Sequence, residues 1–265
     1  MAALIEASEL CFGYGNKTVL RDVSLQVHRG EFVAIIGPNG SGKTTLLKLL
    51  TRVLRPQRGR IALEGHDYAH ISARQLARRI AVAPQETPVL FPFSVTEVVL
   101  MGRAPYLPAF GFETHEDLEQ ARRAMEQTDV LHLADRAIGS LSSGEKQRAI
   151  IARALAQQPE ILLLDEPTSS LDIKHQIDVY ELLTGLNAAN GLTVVIVSHD
   201  LNMAAQYARR MVLLREGTLY RDGPPGEVIT RESIRKVYGA EVAIEYRGEE
   251  RTPFVLPMRR GGRSP

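Results

Sequence analysis

The sequence predicts an α/β fold built on a mixed sheet, with an antiparallel N-terminal β part and an inserted helical subdomain. Three observations carry this. Short apolar runs alternate with helix-length segments, more exposed alternating strands gather near the N-terminus, and one internal stretch changes both charge and periodicity. Phe32–Ile36, Ile80–Ala83, Ile161–Leu164 and Thr193–Val197 are near-continuous apolar runs. Strands of that kind belong to a sheet buried on both faces, usually a parallel one. Leu4–Leu10, Val19–Val27 and Gly59–Leu63 alternate instead, as half-exposed antiparallel strands do. Val212–Leu214, the Glu216-Gly217 turn and Thr218–Tyr220 read as a hairpin.

Residues 86–140 differ from the rest. Thr114–Thr128 places Leu118, Ala121 and Met125 at helical spacing, and the stretch carries nine carboxylates against four arginines. Its net charge is −5, which leaves +6 to the remainder of a chain whose total is +1. The expected organisation is therefore an α/β core over 1–85 and 141–240, a helical subdomain over 86–140, and a C-terminal extension over 241–265. Pro84–Phe112, rich in proline and aromatic residues, is the expected partner-contacting surface; a solvated acidic helix with an ordered loop is the plainer reading. Arg247–Pro265, with five arginines and two glutamates, is expected to be a flexible basic tail, with a lipid-headgroup or partner contact as the alternative.

Composition narrows the function. The chain has 265 residues, 44% of them hydrophobic and 24% charged, and one cysteine. Disordered, collagen-like and disulfide-rich secreted classes are excluded. Cys11 cannot form an internal disulfide, which fits a reducing compartment. A near-zero net charge gives no support for a nucleic-acid coat. Glu6 and Glu9 interrupt any signal-peptide pattern, and no apolar run approaches the ~20 residues that span a bilayer. The arginine bias, 26 against 6 lysines, decides nothing by itself.

Gly37-Pro38-Asn39-Gly40-Ser41-Gly42-Lys43-Thr44 fits G-x-x-x-x-G-K-[ST] in full, after an apolar strand and before a helix expected over Thr45–Leu54. Its glycines let backbone N–H groups curl around phosphates, and the helix N-terminus adds partial positive charge. Lys43 would reach the β- and γ-phosphates and Thr44 would offer its hydroxyl to Mg²⁺. Asp165 and Glu166 close the Ile161–Leu164 strand, where ligands of open α/β sheets gather. Asp165 suits Mg²⁺, and Glu166 is a candidate general base for water attacking the γ-phosphate. This much predicts a P-loop nucleoside triphosphatase. His66 and His70 stand four apart, but Gly65, Asp67 and Ser72 around them mark a turn and a helix start rather than a metal site.

Leu141-Ser142-Ser143-Gly144-Glu145 precedes a well-patterned helix, with Ser142 or Ser143 as its N-cap. With this segment in place the sequence resembles the ATP-binding cassette (ABC) ATPases over nearly its whole length. Their signature, usually L-S-G-G-Q, stands here as Leu141–Glu145. In that family two cassettes pair head to tail, and the phosphate loop of one and the signature helix of the other sandwich ATP. The resemblance assigns Tyr14 to adenine stacking, and Gln85 to the loop that touches Mg²⁺ or the attacking water and moves with the transporter partner. It assigns Asp172, after Ser170 and Leu171, to communication across the dimer, and His199 to the γ-phosphate. Nucleotide contacts then comprise Gly37–Thr45 and Ser142–Glu145 with Tyr14 and Asp172. Mg²⁺ would be held by Thr44, Gln85 and Asp165, and Lys43, Gln85, Glu166 and His199 would carry catalysis. Ser143 and Glu145 depart from the usual glycine and glutamine.

Three functions fit such a chain: the ATPase subunit of a membrane importer, a soluble ABC ATPase as in iron–sulfur cluster assembly, and an ATPase acting on DNA or ribosomes. The last lacks support, because one compact cassette is present without a long coiled coil. Phe93–Arg103 with Pro105-Tyr106-Leu107, and Glu227–Thr230 with Val237-Tyr238-Gly239, resemble the importer ATPases for iron-siderophore, haem and cobalamin uptake. Molybdate transporters share the pattern. The importer reading implies a second copy of the chain, two transmembrane permease subunits, indirectly a substrate-binding protein, no nucleic acid, and a place at the cytoplasmic face of the cell membrane.

Overall fold

The computed structural model describes residues 3–85, 91–108, 111–249 and 251–258. In chain order these form β1 (Ala3–Tyr14), β2 (Lys17–His28), β3 (Phe32–Ile36), α1 (Lys43–Leu50), β4 (Arg58–Leu63), β5 (His66–Asp67), α2 (Ala73–Ala77) and β6 (Ile80–Ala83). There follow α3 (Val95–Leu100), α4 (His115–Gln127), α5 (Ser143–Ala156), β7 (Ile161–Asp165), α6 (Ile173–Asn190), β8 (Thr193–Val197) and α7 (Leu201–Tyr207). The chain continues through β9 (Arg210–Arg215), β10 (Thr218–Gly223), α8 (Pro225–Val228), α9 (Arg231–Tyr238), β11 (Val242–Arg247) and β12 (Thr252–Pro257). Two compact units result, residues 1–65 with 195–265 and residues 66–194, the division falling within β8.

In the first unit β2, β1 and β4 form the predicted antiparallel sheet, with Ala7 opposite Leu25 on one side and Ile61 on the other. β2 buries Leu20, Val23, Leu25 and Val27, the apolar members of its alternating pattern. The second sheet of this unit runs β10-β9-β3-β8, with β3 parallel to β9 and the predicted β9–β10 hairpin antiparallel. Every residue of β3 is buried, as its unbroken apolar run requires. Helix α1 differs from expectation: it starts at Lys43 and stops at Leu50 rather than running Thr45–Leu54. Arg52 takes a left-handed φ of 60°, and the Leu54 N–H turns back onto the Lys48 carbonyl at 3.0 Å, which closes the helix end.

The expectation of a flexible tail from Arg247 fails over Thr252–Pro257. That segment pairs with β11, Val242 opposite Pro257 and Ile244 opposite Val255. Asn202 of α7 holds it by two bonds, accepting from the Val255 N–H at 2.8 Å and donating to the Val255 carbonyl at 3.2 Å. Burial of Val242 and Val255 supplies the apolar part of the association. The end of the expected tail, residues 259–265, lies outside the described residues, as do residues 86–90 and 109–110 of the expected partner surface.

In the second unit β6 and β7 are parallel, Ile80 opposite Ile161 and Ala83 opposite Leu164, and this part of the sheet runs β8-β7-β6. Reciprocal capping boxes start three of its longer elements: Ser94 with Glu97 at α3, Thr114 with Asp117 at α4, and Ser142 with Glu145 at α5. These three helices pack on one another. At their junction Arg103 is buried against Asp117, with side chains 3% and 6% exposed and Nε 2.8 Å from Oδ1. The same guanidinium donates to the Ala156 carbonyl and to Gln158, and lies 3.8 Å over the Tyr106 ring. Burial opposes ionisation of Asp117, but hydrogen bonds from Thr114 and Arg103 outweigh it and hold the carboxyl below its ordinary range. Asp67 caps the turn Tyr68–His70 and Ser72 caps α2, so the turn and helix start read around His66 and His70 are present.

Candidate active site

The phosphate loop lies in the first unit, between β3 and α1. Gly42 is the N-cap of α1 with φ of 104°, and a Cβ there would stand 2.5 Å from Cδ2 of Leu20. Only glycine suits that backbone and that approach. No side chain caps α1, and a helix N-terminus reached through a glycine turn favours an anion through its partial positive charge. The Ser41 hydroxyl is buried and makes no hydrogen bond to a described residue, a polar atom that a bound phosphate would satisfy. Lys43 is buried, and its ammonium donates to the carbonyls of Gly37 at 2.9 Å and Pro38 at 3.2 Å. The donor set of this loop fits a nucleoside triphosphate.

Two further predicted residues belong to the same unit. Ser198 donates its N–H to the Ile35 carbonyl at 3.1 Å, which sets the exposed His199 beside the end of β3, two residues before Gly37. Tyr14 ends β1 half-exposed, its ring edge-on to Phe12 at 5.0 Å. An aromatic face held on one side and open on the other suits stacking.

The second unit holds the carboxylates. Asp165 is the last residue of β7 and is buried. Glu166 follows in a left-handed conformation, φ 47°, its carbonyl accepting the Ser169 N–H at 3.2 Å. Such a conformation costs about 1–3 kcal/mol for a residue with a side chain and gathers at functional sites. Gln85, just past β6, donates its Nε2 to Oε2 of Glu166 at 3.1 Å. At α5 the N-cap is Ser142 rather than Ser143: its hydroxyl accepts the Glu145 N–H, and the Glu145 carboxylate accepts from the Ser142 N–H at 2.8 Å and hydroxyl at 2.7 Å. Those bonds hold the Glu145 carboxyl below its ordinary range. The departure from glutamine therefore places a charge engaged with its own helix cap. Asp172 caps α6 through the His175 N–H at 2.9 Å and meets His175 Nδ1 at 2.7 Å, and these contacts depress its own carboxyl. The sequence signals His175 only by its place three residues after Asp172.

Residues 20–169 match the family model of the ABC transporter. The chain belongs to the ABC transporter family. It is an ATPase of that family, with a nucleotide-binding cassette that couples ATP hydrolysis to transport. It is 42% identical to the ferric enterobactin transport ATP-binding protein FepC of Escherichia coli over 97% of this chain and 95% of that one. It is 45% identical to the hemin import ATP-binding protein HmuV of Thermobifida fusca over 97% and 89%. Among solved structures, a transporter described as metal-chelate type, in an inward-facing conformation, matches this ABC ATPase with a TM-score of 0.86 at 29% identity, covering 98% of this chain and 99% of that one. The dimeric cassette MJ0796 matches with a TM-score of 0.72 at 30% identity, covering 83% and 98%. Among the described residues no helix is long and apolar enough to cross a membrane.

Proposed function

We propose that the chain is the ATP-hydrolysing subunit of an importer of iron-siderophore, haem or cobalamin, peripheral to the cytoplasmic face of the membrane. What supports this most is identity of 38–45% over 97% of the chain to transport proteins named for ferric enterobactin, hemin and siderophore. Those names favour the importer over the soluble alternative, an ABC ATPase of iron–sulfur cluster assembly type. In the first unit Gly37–Thr45 would take the triphosphate, Tyr14 the adenine, and His199 the γ-phosphate. In the second, Glu166 would take the proton of the attacking water, with Gln85 orienting its carboxylate. Thr44, Gln85 and Asp165 offer oxygen donors of the kind Mg²⁺ prefers. When bound, Mg²⁺ neutralises charge on the β- and γ-phosphates.

Ser142–Glu145 and Asp172 would complete the site of a second, head-to-tail copy. The N1 and N2 amides of α5, those of Ser143 and Gly144, are first-turn groups without intrahelical partners and suit a γ-phosphate. ATP then favours the closed pair because only that state makes both sets of contacts. The helical subdomain over 86–140 would pass this motion to two permease subunits. Phe91 and Phe112 of the predicted partner surface, with Met101, are exposed apolar side chains. A substrate-binding protein would act through the permease. Purification of the full chain from detergent-solubilised membranes tests the assignment. Polytopic permease subunits are expected to accompany it, and a chain recovered alone from the soluble fraction would refute the importer reading.

A further inference from the structure

The signature helix and the Asp172 loop are far apart in sequence, yet one side chain in the second unit touches both. His175 stands in the first turn of α6. Its backbone N–H and its Nδ1 both meet Oδ1 of Asp172, at 2.9 and 2.7 Å. A carboxylate only accepts, so Nδ1 carries the proton and the ring is fixed in one orientation. The other edge of the ring lies against Gly144: a Cβ built there would be 2.3 Å from Cδ2, 2.8 Å from Cγ and 3.1 Å from Nε2. Gly144 has no left-handed φ to explain it. The three heavy atoms nearest to that Cβ all belong to the imidazole. One residue further, Gln176 donates to the carbonyls of Thr168 and Leu171, at 3.2 and 3.1 Å, so the loop leading to Asp172 is tied to the same helix turn.

We propose that His175 is a positioning residue of the ATPase, locking Asp172 to the first turn of α5 so that both reach a second copy as one rigid face. The inference rests on the reading of Ser142–Glu145 and Asp172 as one half of the ATP sandwich. A ring held by a charge-assisted bond on one side and close contact on the other transmits displacement of either element to its neighbour. Removal of the ring leaves each element intact but uncoupled.

Two measurements on the full chain test this. In steady-state hydrolysis, Gly144→Ala is expected to lower kcat at least about tenfold, but at most about threefold when combined with His175→Ala, because the ring struck by the methyl group is gone. KM for MgATP is expected to stay within about twofold throughout, since nucleotide binds the phosphate loop of the other unit. Equal Gly144→Ala penalties in both backgrounds overturn the proposal. In sedimentation velocity with MgATP, adding His175→Ala to Glu166→Gln is expected to move the monomer–dimer midpoint to at least about threefold higher protein concentration. His175→Asn, which keeps a donor near Asp172, is expected to recover part of that shift. A midpoint unmoved by His175→Ala overturns the proposal while leaving the sandwich reading intact. Absence of any ATP-induced dimer in Glu166→Gln overturns the sandwich reading, and the proposal with it.

Discussion

Gln85 donates a hydrogen bond from Nε2 to Oε2 of Glu166, 3.1 Å away. The bond joins the residue just past β6 to the carboxylate just past β7, where Glu166 takes a left-handed φ of 47°. A base used for proton abstraction gains from such an orienting donor. Glu166→Gln is expected to bind MgATP with near-native affinity while kcat falls at least about a hundredfold. Gln85→Ala is expected to lower kcat about tenfold with little change in KM, because it removes an orienting donor and leaves the proposed base in place. Steady-state hydrolysis and equilibrium nucleotide binding check both.

Lys43 is buried, and its ammonium holds the carbonyls of Gly37 and Pro38. Its loss removes a brace of the loop and, on the proposed reading, the cation that meets the phosphates. Lys43→Ala is expected to weaken ATP binding by at least about tenfold, which corresponds to ~1.4 kcal/mol. Fluorescence titration with a nucleotide analogue measures it; unaltered affinity would remove Lys43 from the site.

Ser142 caps α5 through its hydroxyl and donates to Glu145. Ser142→Arg replaces that cap with a bulky cation at the face offered to the second copy. ATP binding to the monomer is expected to persist and cooperative hydrolysis to be lost. Hydrolysis at the native rate would contradict the cross-dimer role. Ser142→Ala isolates the cap and is expected to cost about 0.5–2 kcal/mol of stability.

The buried Arg103–Asp117 pair is a structural element of the helical part. Removing one partner strands the other, so Asp117→Ala is expected to cost ~3–5 kcal/mol in urea unfolding. The Asp117 carboxyl is held below its ordinary range. Its contribution is therefore fully present above the ordinary carboxylate range and is lost as pH falls through the depressed value. The native chain is expected to lose stability more steeply than Asp117→Asn on the acid side.

Much of this was legible in the sequence. The unbroken apolar run Phe32–Ile36 ends on a glycine turn, so β3 and the phosphate loop follow from local pattern alone. The same holds for β7 with Asp165 at its end. Other features depend on residues distant in the chain. β12 forms because Asn202 and β11 are there to receive it, and nothing within Thr252–Pro257 announces either. Arg103 and Asp117 look like surface charges in an acidic stretch until packing buries them together. His175 is unremarkable except for its spacing from Asp172, and its contact with Gly144 arises only when α5 and α6 pack. Helix α1 stops short because Arg52 turns left-handed, a choice that the leucine periodicity around it does not reveal.

The central claim is that hydrolysis at Glu166 drives import through partner permease subunits. Uptake into proteoliposomes containing the chain, its permease subunits and the binding protein tests it most directly, with ATP on the side of the cassettes and ferric siderophore, haem or cobalamin on the other. The expected result is ATP-dependent accumulation of one of these cargoes with the native chain and none with Glu166→Gln. Accumulation that proceeds equally with Glu166→Gln, or with ATP left out, would contradict it.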